Sequence, residues 1–399
     1  MKGECLRRVV FITNLDVLGG TENNLVSLVA HPEFNKDFEI FIFSGTPPHK
    51  TIISRLSYSN VKIIQYNSFC GIRIPRVCRG INFKRQIKGL NPNVIIFWNH
   101  LAKFSQLEIC KELQIKTIFF ERGTGWTSHD PLVMRQFLHS VDRVVANTFA
   151  GKRRLEEIWG YEGQCQILPN ALRPEIYKAE IPSKCLPEDR PIRIGIAARL
   201  TAYKGVASSI LAIRELQNEG LEAELHIAGD GEERNVLNSL ARSLNVHAVF
   251  HGTLNDMASF YQHIDILIVP SIREPFGTVA IEAQYLGCPV LCTCVDGLPE
   301  VVLEGQTGIL IEPDWDIEKY AAYTRKMTNI PEQVYQPGSD KFREPKALDP
   351  EKIALKIVEL IKKKHAFEEM SMRAAIFARN NFNFEVYIQK FKNLLKNVD

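Results

Sequence analysis

The chain is punctuated by short apolar runs with little alternation of polar and apolar residues. In the first half these are VVFITN (9–14), FEIFIFSG (38–45), VKIIQY (61–66), NVIIFWNH (93–100), KTIFFERG (116–123), RVVANT (143–148) and CQILPN (165–170). A strand that is apolar on both faces must be covered on both faces. Helical crossovers between parallel strands provide that cover. ENNLVSLVA (22–30) reads as one such helix. The pattern then repeats with IRIGIAARL (192–200), AELHIAGDG (223–231), AVFHGT (248–253), DILIVPS (265–271), PVLCTCVDG (289–297) and TGILIEP (307–313). Helices are predicted near 204–220, 232–244, 255–263 and 278–286. A chain of 399 residues is long enough for two such domains. The expected fold class is α/β, with two doubly wound, Rossmann-like domains.

The two series are separated around 179–191 by AEIPSKCLPEDRPI, rich in proline and charge, which reads as a linker. The predicted divisions are 1–180, 181–379 and a terminal helix in 380–399. The stretch NIPEQVYQPGSDKFREPKALD (329–349) reads as a long irregular loop. From 350 onward the chain reads as helical, with its last helix over 380–397.

Composition excludes several classes. No apolar run approaches the ~18 residues of a membrane-spanning helix, and VVFI is too short for a signal-peptide core. Nine cysteines without repeating spacing fit a reduced, cytoplasmic compartment. Cys288, Cys292 and Cys294 lie in the apolar run CPVLCTCV and read as core cysteines rather than metal ligands. The net charge of +3 hides an asymmetry: residues 1–180 hold 24 Lys and Arg against 16 Asp and Glu, and the rest 25 against 30. An anionic membrane surface, a phosphate-bearing acceptor and a plain solvated surface all fit a basic first half.

SIREPFGTVAIEAQYLGCPV (271–290) carries the most chemistry. A strand ends at Ser271, Pro275 and Gly277 make an open turn, and a helix begins near Thr278 and stops at Gly287. A strand, a glycine turn and a helix start form a cradle for phosphate, because free N–H groups and the helix dipole favour an anion. Glu274 and Glu282 flank that cradle. Carboxylates accept hydrogen bonds from hydroxyls, so sugar and ribose are their natural partners there. In GIAARLTAYKGV (195–206), Arg199 leaves a strand end and Lys204 opens a helix. Two cations at a sheet's carboxyl edge can neutralise a diphosphate leaving group. Gly229-Asp230-Gly231 is a further strand-to-helix turn, and Gly252 and Ser271 mark similar strand ends. Gly19-Gly20-Thr21 follows the first strand without the third glycine of a dinucleotide site.

These segments resemble the retaining glycosyltransferases of the GT-B fold, notably glycosyltransferase family 4 (glycosyl transferases group 1). The Glu-x7-Glu spacing of Glu274 and Glu282, the PFG that includes Phe276 and the LGCPV that follows carry the resemblance. It implies two domains facing across a cleft, with a nucleotide-sugar donor, UDP- or GDP-linked, in the second and the acceptor in the first. It implies that Glu274 contacts the transferred sugar and Glu282 the ribose. Amides near Gly277, Thr278 and Val279 would hold the distal phosphate, with Arg199 and Lys204 on the diphosphate. Gly19 and Gly20 would face the donor phosphates, Gly229 and Gly231 the nucleotide, and Ser271, Gly252 and Phe250 the base. The implied reaction is hexosyl transfer with retention, by front-side displacement, with no metal and no cofactor. Asp314-Trp315-Asp316 lies away from these motifs and reads as a loop. The terminal helix would cross back onto the first domain. Members often carry a histidine where Glu121 and Arg122 stand here. That leaves His100 or His129 to substitute, or Arg122 to meet an acceptor phosphate.

SFCGIRIPRVCRGINFKRQIKGL (68–90) interleaves Arg73, Arg76, Arg79, Lys84, Arg85 and Lys88 with Ile72, Ile74, Val77, Ile81 and Phe83, with no acid. That mix fits anionic headgroups over 72–88, a lipid-diphosphate acceptor or a solvated helix face; no nucleic-acid motif accompanies it. The expected partners are a nucleotide-sugar donor and a glycan or lipid-linked acceptor, in polysaccharide, lipopolysaccharide or other glycoconjugate assembly. The expected setting is the cytoplasm, including the cytoplasmic face of the membrane. A nucleotide-sugar epimerase of the same fold, or a silent sugar-nucleotide-binding module, are the alternatives.

Overall fold

A computed structural model describes residues 6–16, 19–69, 72–127, 129–177, 183–328 and 330–398. Residues 1–5, 17–18 of the glycine loop, 70–71 of the basic segment, 178–182 at the start of the linker, Ser128, Asn329 and Asp399 lie outside the described residues, as do the side chains of Phe69 and Ile72. The chain forms two compact units, one holding residues up to Ala171 together with Phe384 onward, the other Leu172–Asn383.

In the first unit, β1 (Arg7–Thr13), β2 (Phe38–Ser44), β3 (Lys62–Gln65), β6 (Val94–Trp98), β7 (Lys116–Glu121), β8 (Arg143–Ala146) and β9 (Cys165–Ile167) build a parallel sheet in the order β3-β2-β1-β6-β7-β8-β9. A small antiparallel pair, β4 (Ser68–Phe69) with β5 (Ile72–Arg73), lies between β3 and β6 in sequence. Val9–Ile12 and Val94–Trp98 are buried, as continuous apolar strands require. The helix Phe384–Lys396 belongs to this unit. Its Phe391 stacks on Phe120 at 5.0 Å between ring centroids and meets Phe34 edge-on at 5.6 Å.

The second unit has β10 (Ile192–Ala197), β11 (Ala223–Ala228), β12 (Ala248–Gly252), β13 (Ile266–Val269), β14 (Val290–Thr293) and β15 (Gly308–Ile311), all parallel, in the order β12-β11-β10-β13-β14-β15. Sequence order reverses between β10 and β13, so the loops leaving their carboxyl ends diverge and open a crevice.

The structure differs from the sequence reading in three places. The units divide at Ala171 rather than at 180, because Leu172 is buried in the second unit and its N–H donates to the Phe382 carbonyl. The last helix starts at Phe384, since the preceding one, Lys364–Asn381, runs to Asn381 with Phe382 as its cap. The stretch 329–349 is not irregular throughout: β16 (Val334–Gln336) and β17 (Lys341–Arg343) form an antiparallel hairpin. Asp340 turns that hairpin at φ +52° and accepts from the Tyr335 hydroxyl at 2.7 Å.

Candidate functional site

The loops after β10 and β13 meet beside the reversal point of the second sheet. Lys204 leaves the first loop and Glu274 the second, and their Nζ and Oε2 atoms are 2.5 Å apart. The Ser271 hydroxyl also donates to Glu274 Oε2, at 3.3 Å, and the Ile272 N–H donates to the Tyr203 carbonyl at 2.8 Å. Three of the residues singled out in the sequence thus form one cluster, although Lys204 and Glu274 are far apart in the chain. Arg199 stands exposed at the end of β10 and has no ion-pair partner among the described residues. Most of the Lys204 and Glu274 side chains is withdrawn from solvent, which strengthens their attraction relative to a surface pair.

The cradle next to this pair has the expected shape. Gly277, at φ +95°, precedes the helix Thr278–Tyr285 as its N-cap. The left-handed backbone there suits glycine alone among common residues. The Ala280 N–H bonds back to the Gly277 carbonyl, so the amides of Thr278 and Val279 head the helix without an intrahelical acceptor. The Phe276 side chain is buried in the unit's core and packs edge-on against Phe382 at 6.0 Å, so only its backbone adjoins this cradle.

Glu282 lies one turn into the same helix and is 1% exposed. Its Oε1 accepts from Arg173 Nε at 2.6 Å and its Oε2 from the Tyr261 hydroxyl at 3.0 Å. The carboxylate is therefore anchored by protein donors, with only its remaining lone pairs available for a hydroxyl. Burial, followed by the neighbouring Glu282 charge, pushes the Tyr261 phenol well above its ordinary range. Neither Arg173 nor Tyr261 was visible in the motif, because no local spacing links them to Glu282.

Gly229, at φ +129°, and Gly231 pack on the loop after β10. A Cβ at Gly229 would fall 1.9 Å from the Ala198 carbonyl oxygen. The Gly229 N–H donates to the Gly252 carbonyl at 2.7 Å. The Phe250 carbonyl accepts from Arg234 at 3.2 Å, so it is already engaged.

Among the first unit's candidates, Gly20 opens the helix Gly20–Ala30, and the Gly19 N–H donates to the Glu22 carboxylate at 3.0 Å. His100 follows β6 half-buried, and burial lowers its pKa. Glu121 and Arg122, expected on the acceptor side, are both buried and engaged with protein groups. The Glu121 carboxylate accepts from the N–H groups of Gly123 (2.5 Å) and Gly125 (2.9 Å), and burial pushes its pKa up to about 7. Arg122 lies 3.8 Å over the Trp98 ring and donates to Asn24 (3.0 Å), to Asn170 and to the Tyr387 hydroxyl (2.7 Å). It ties the first and last helices of this unit to the end of β7. His129 is engaged with Thr127 Oγ1 at 2.7 Å and the Thr124 carbonyl at 3.0 Å.

Among the described residues, no group of three His, Cys, Asp or Glu side chains is arranged to hold a metal. Asp314 and Asp316 pair with Lys352 and Lys346. Cys288 and Cys292 are fully buried, and burial pushes the Cys288 thiol up to about 12. No described helix is long and apolar enough to cross a membrane.

Residues 178–341 match the family described as glycosyl transferases group 1. A D-inositol 3-phosphate glycosyltransferase from Nocardiopsis dassonvillei is 30% identical over 220 residues, 49% of this chain and 50% of that protein. An uncharacterized glycosyltransferase from Haemophilus influenzae is 26% identical over 344 residues, 84% of this chain and 93% of that one. The chain spans between a third and a half of the length of several curated relatives it matches. Anabaena HepE, crystallised in complex with UDP-glucose, has a TM-score of 0.75 at 15% identity, covering 98% of this chain and 99% of that one. WaaG, a glycosyltransferase involved in lipopolysaccharide biosynthesis, has a TM-score of 0.65 at 14% identity, over 98% and 100%. Residues 178–341 are thus similar to glycosyl transferases group 1, and the chain as a whole shares the two-unit α/β fold of these glycosyltransferase structures.

Proposed function

We propose that this chain transfers a hexosyl group, with retention, from a UDP- or GDP-linked donor to an acceptor hydroxyl. The observation that carries the reading is the Lys204–Glu274 pair, which sits beside the Gly277 helix start at the reversal point of the second sheet. One group there is suited to phosphate, one to hydroxyls, and the free amides between them to an anion. In this reading the second unit binds the donor and the first the acceptor. Amides of Gly277, Thr278 and Val279 hold the distal phosphate. Arg199 and Lys204 neutralise the diphosphate as it leaves, the work a metal does elsewhere, so neither metal nor cofactor is required. Glu274 orients the transferred sugar and Glu282 the ribose. The leaving diphosphate takes up the acceptor's proton as the new bond forms on the face it vacates.

Glycoconjugate assembly on a lipid-linked acceptor is the setting we favour, at the cytoplasmic face of a membrane. A capsular polysaccharide biosynthesis glycosyltransferase from Staphylococcus aureus, 31% identical over 141 residues, supports it. So does the basic segment. Val77 and Ile81 are 85% and 73% exposed beside Arg73, Arg76, Arg85 and Lys88, and no Asp or Glu occurs between Glu39 and Glu108.

The test is NMR of the reaction with UDP-glucose, UDP-galactose, UDP-N-acetylglucosamine and GDP-mannose, with acceptor glycolipid extracts. An α-linked product from an α-linked donor is expected. An inverted product contradicts the mechanism, and an epimerised nucleotide sugar formed without acceptor contradicts the transferase reading.

A further inference from the structure

We infer that Asp296 and the β16–β17 hairpin hold Glu274 in its working position, with Asp296 as a positioning residue for sugar transfer. The inference rests on the role proposed for Glu274.

Asp296 follows β14, is completely buried and sits at φ +48°. A non-glycine residue held in the left-handed region costs about 1–3 kcal/mol and persists only where its surroundings over-determine it. Here they do. Asp296 Oδ2 accepts from the Glu274 N–H at 3.1 Å, and Oδ1 accepts from the Tyr335 N–H at 2.9 Å. The Asp296 N–H donates to the Tyr335 carbonyl at 2.9 Å, and the Gly297 N–H donates to the Glu274 carbonyl at 3.1 Å. Both peptide groups of Glu274 are therefore held by residues 296–297. Both polar backbone groups of Tyr335, in the hairpin, are held by Asp296.

A buried carboxylate is expensive to desolvate, and charge-assisted bonds from backbone N–H groups offset that cost. The arrangement spends a buried charge on a backbone position three residues before the phosphate cradle. It clamps the one residue whose side chain meets Lys204 and Ser271. The hairpin, inserted between the helices Ile317–Ala321 and Pro350–Ile361, supplies the far anchor of this strap. Loosening it should displace the Glu274 carboxylate while leaving the amides at Gly277–Val279 and the Glu282 anchor in place. Small displacements of a reacting-site group cost rate far more than they cost binding.

The direct test is Asp296→Asn, which keeps the shape but sets an amide NH2 against one of the two backbone N–H groups. With the nucleotide sugar that the wild type turns over best among the four named above, kcat should fall about 10- to 100-fold. The Kd for UDP or GDP should stay within about twofold. In a Glu274→Gln background the same substitution should cost little further, because Asp296 acts through Glu274. Unchanged kcat, a nucleotide Kd that weakens in step with kcat, or a loss that multiplies in the double variant would overturn the inference. Hydrogen exchange decides it independently of activity: peptides covering 271–277 and 334–343 should exchange faster in Asp296→Asn. Unaltered exchange there overturns the strap. If the wild type turns over none of the donors, the functional reading fails and the exchange result alone decides. If Asp296→Asn does not fold, Tyr335→Pro removes the N–H on Oδ1 and carries the same expectations.

Discussion

At residue scale, the two glutamates of the motif differ in what surrounds them. Glu282 is part of a buried trio with Arg173 and Tyr261, whereas Glu274 meets Lys204 in a site that water still reaches. Removing the Glu282 charge strands the Arg173 guanidinium among buried groups. Glu282→Gln should therefore lower stability by about 3 kcal/mol, seen as a lower urea midpoint with an unchanged slope. Glu274→Gln should cost well under half of that and yet lower sugar turnover by at least about 100-fold. Equal destabilisation by the two would contradict the distinction. The carboxylates themselves were legible in the sequence because a strand, a glycine turn and a helix start bracket them. Lys204 was legible too, but Arg173, Tyr261 and Asp296 were not, since they reach the carboxylates and their backbone only through the folded sheet. Arg122 shows the converse. Its place at a strand end suggested an acceptor contact, but Trp98, Asn24, Asn170 and Tyr387 bury it.

At element scale, the strands were legible because burial on both faces writes itself as unbroken apolar runs. The β16–β17 hairpin was not, because its strands are three residues each and its backbone bonds with Asp296 leave no local pattern. Along the parallel ladder of β11 and β12, polar side chains meet. His226 Nδ1 lies 3.1 Å from His251 Nε2, and its Nε2 lies 3.4 Å from Glu224, which His247 and Arg193 also approach. The His263 ring packs edge-on against His226, with Arg193 beside it. Two ring nitrogens facing each other share one proton, and a second would set N–H against N–H. Burial, with the neighbouring His263 and His251 charges, lowers the His226 pKa below 6.5 and outweighs the pull of Glu224. In that situation the unfolded chain takes up a proton that the folded one refuses, so stability present above pH 6.5 is lost as pH falls below it. Urea midpoints at pH 7.5 and 5.5 should differ more in the wild type than in His226→Gln. An equal difference would remove His226 from the account.

At the scale of the whole molecule, the doubling of the apolar series was enough to expect two α/β units. The passage of the last helix into the first unit depends on aromatic packing around Phe391 that no local pattern announces. The charge asymmetry has a physical counterpart in the exposed apolar and basic residues at 73–88. Replacing Arg73 and Arg76 by Glu should cut sedimentation with phosphatidylglycerol vesicles several-fold while leaving neutral phosphatidylcholine vesicles unaffected. Equal sedimentation of both forms with the anionic vesicles would return that segment to a solvated helix face.

The central claim is that the second unit handles a nucleotide-linked sugar through Lys204 and Glu274. Release of UDP or GDP from the four nucleotide sugars, with acceptor extract, measures it most directly in the wild type and in folded Lys204→Ala. The account predicts turnover of at least one donor by the wild type, reduced about 100-fold or more in the variant. Turnover that survives the loss of Lys204 unchanged, or no turnover of any of the four donors by the wild type, would contradict it.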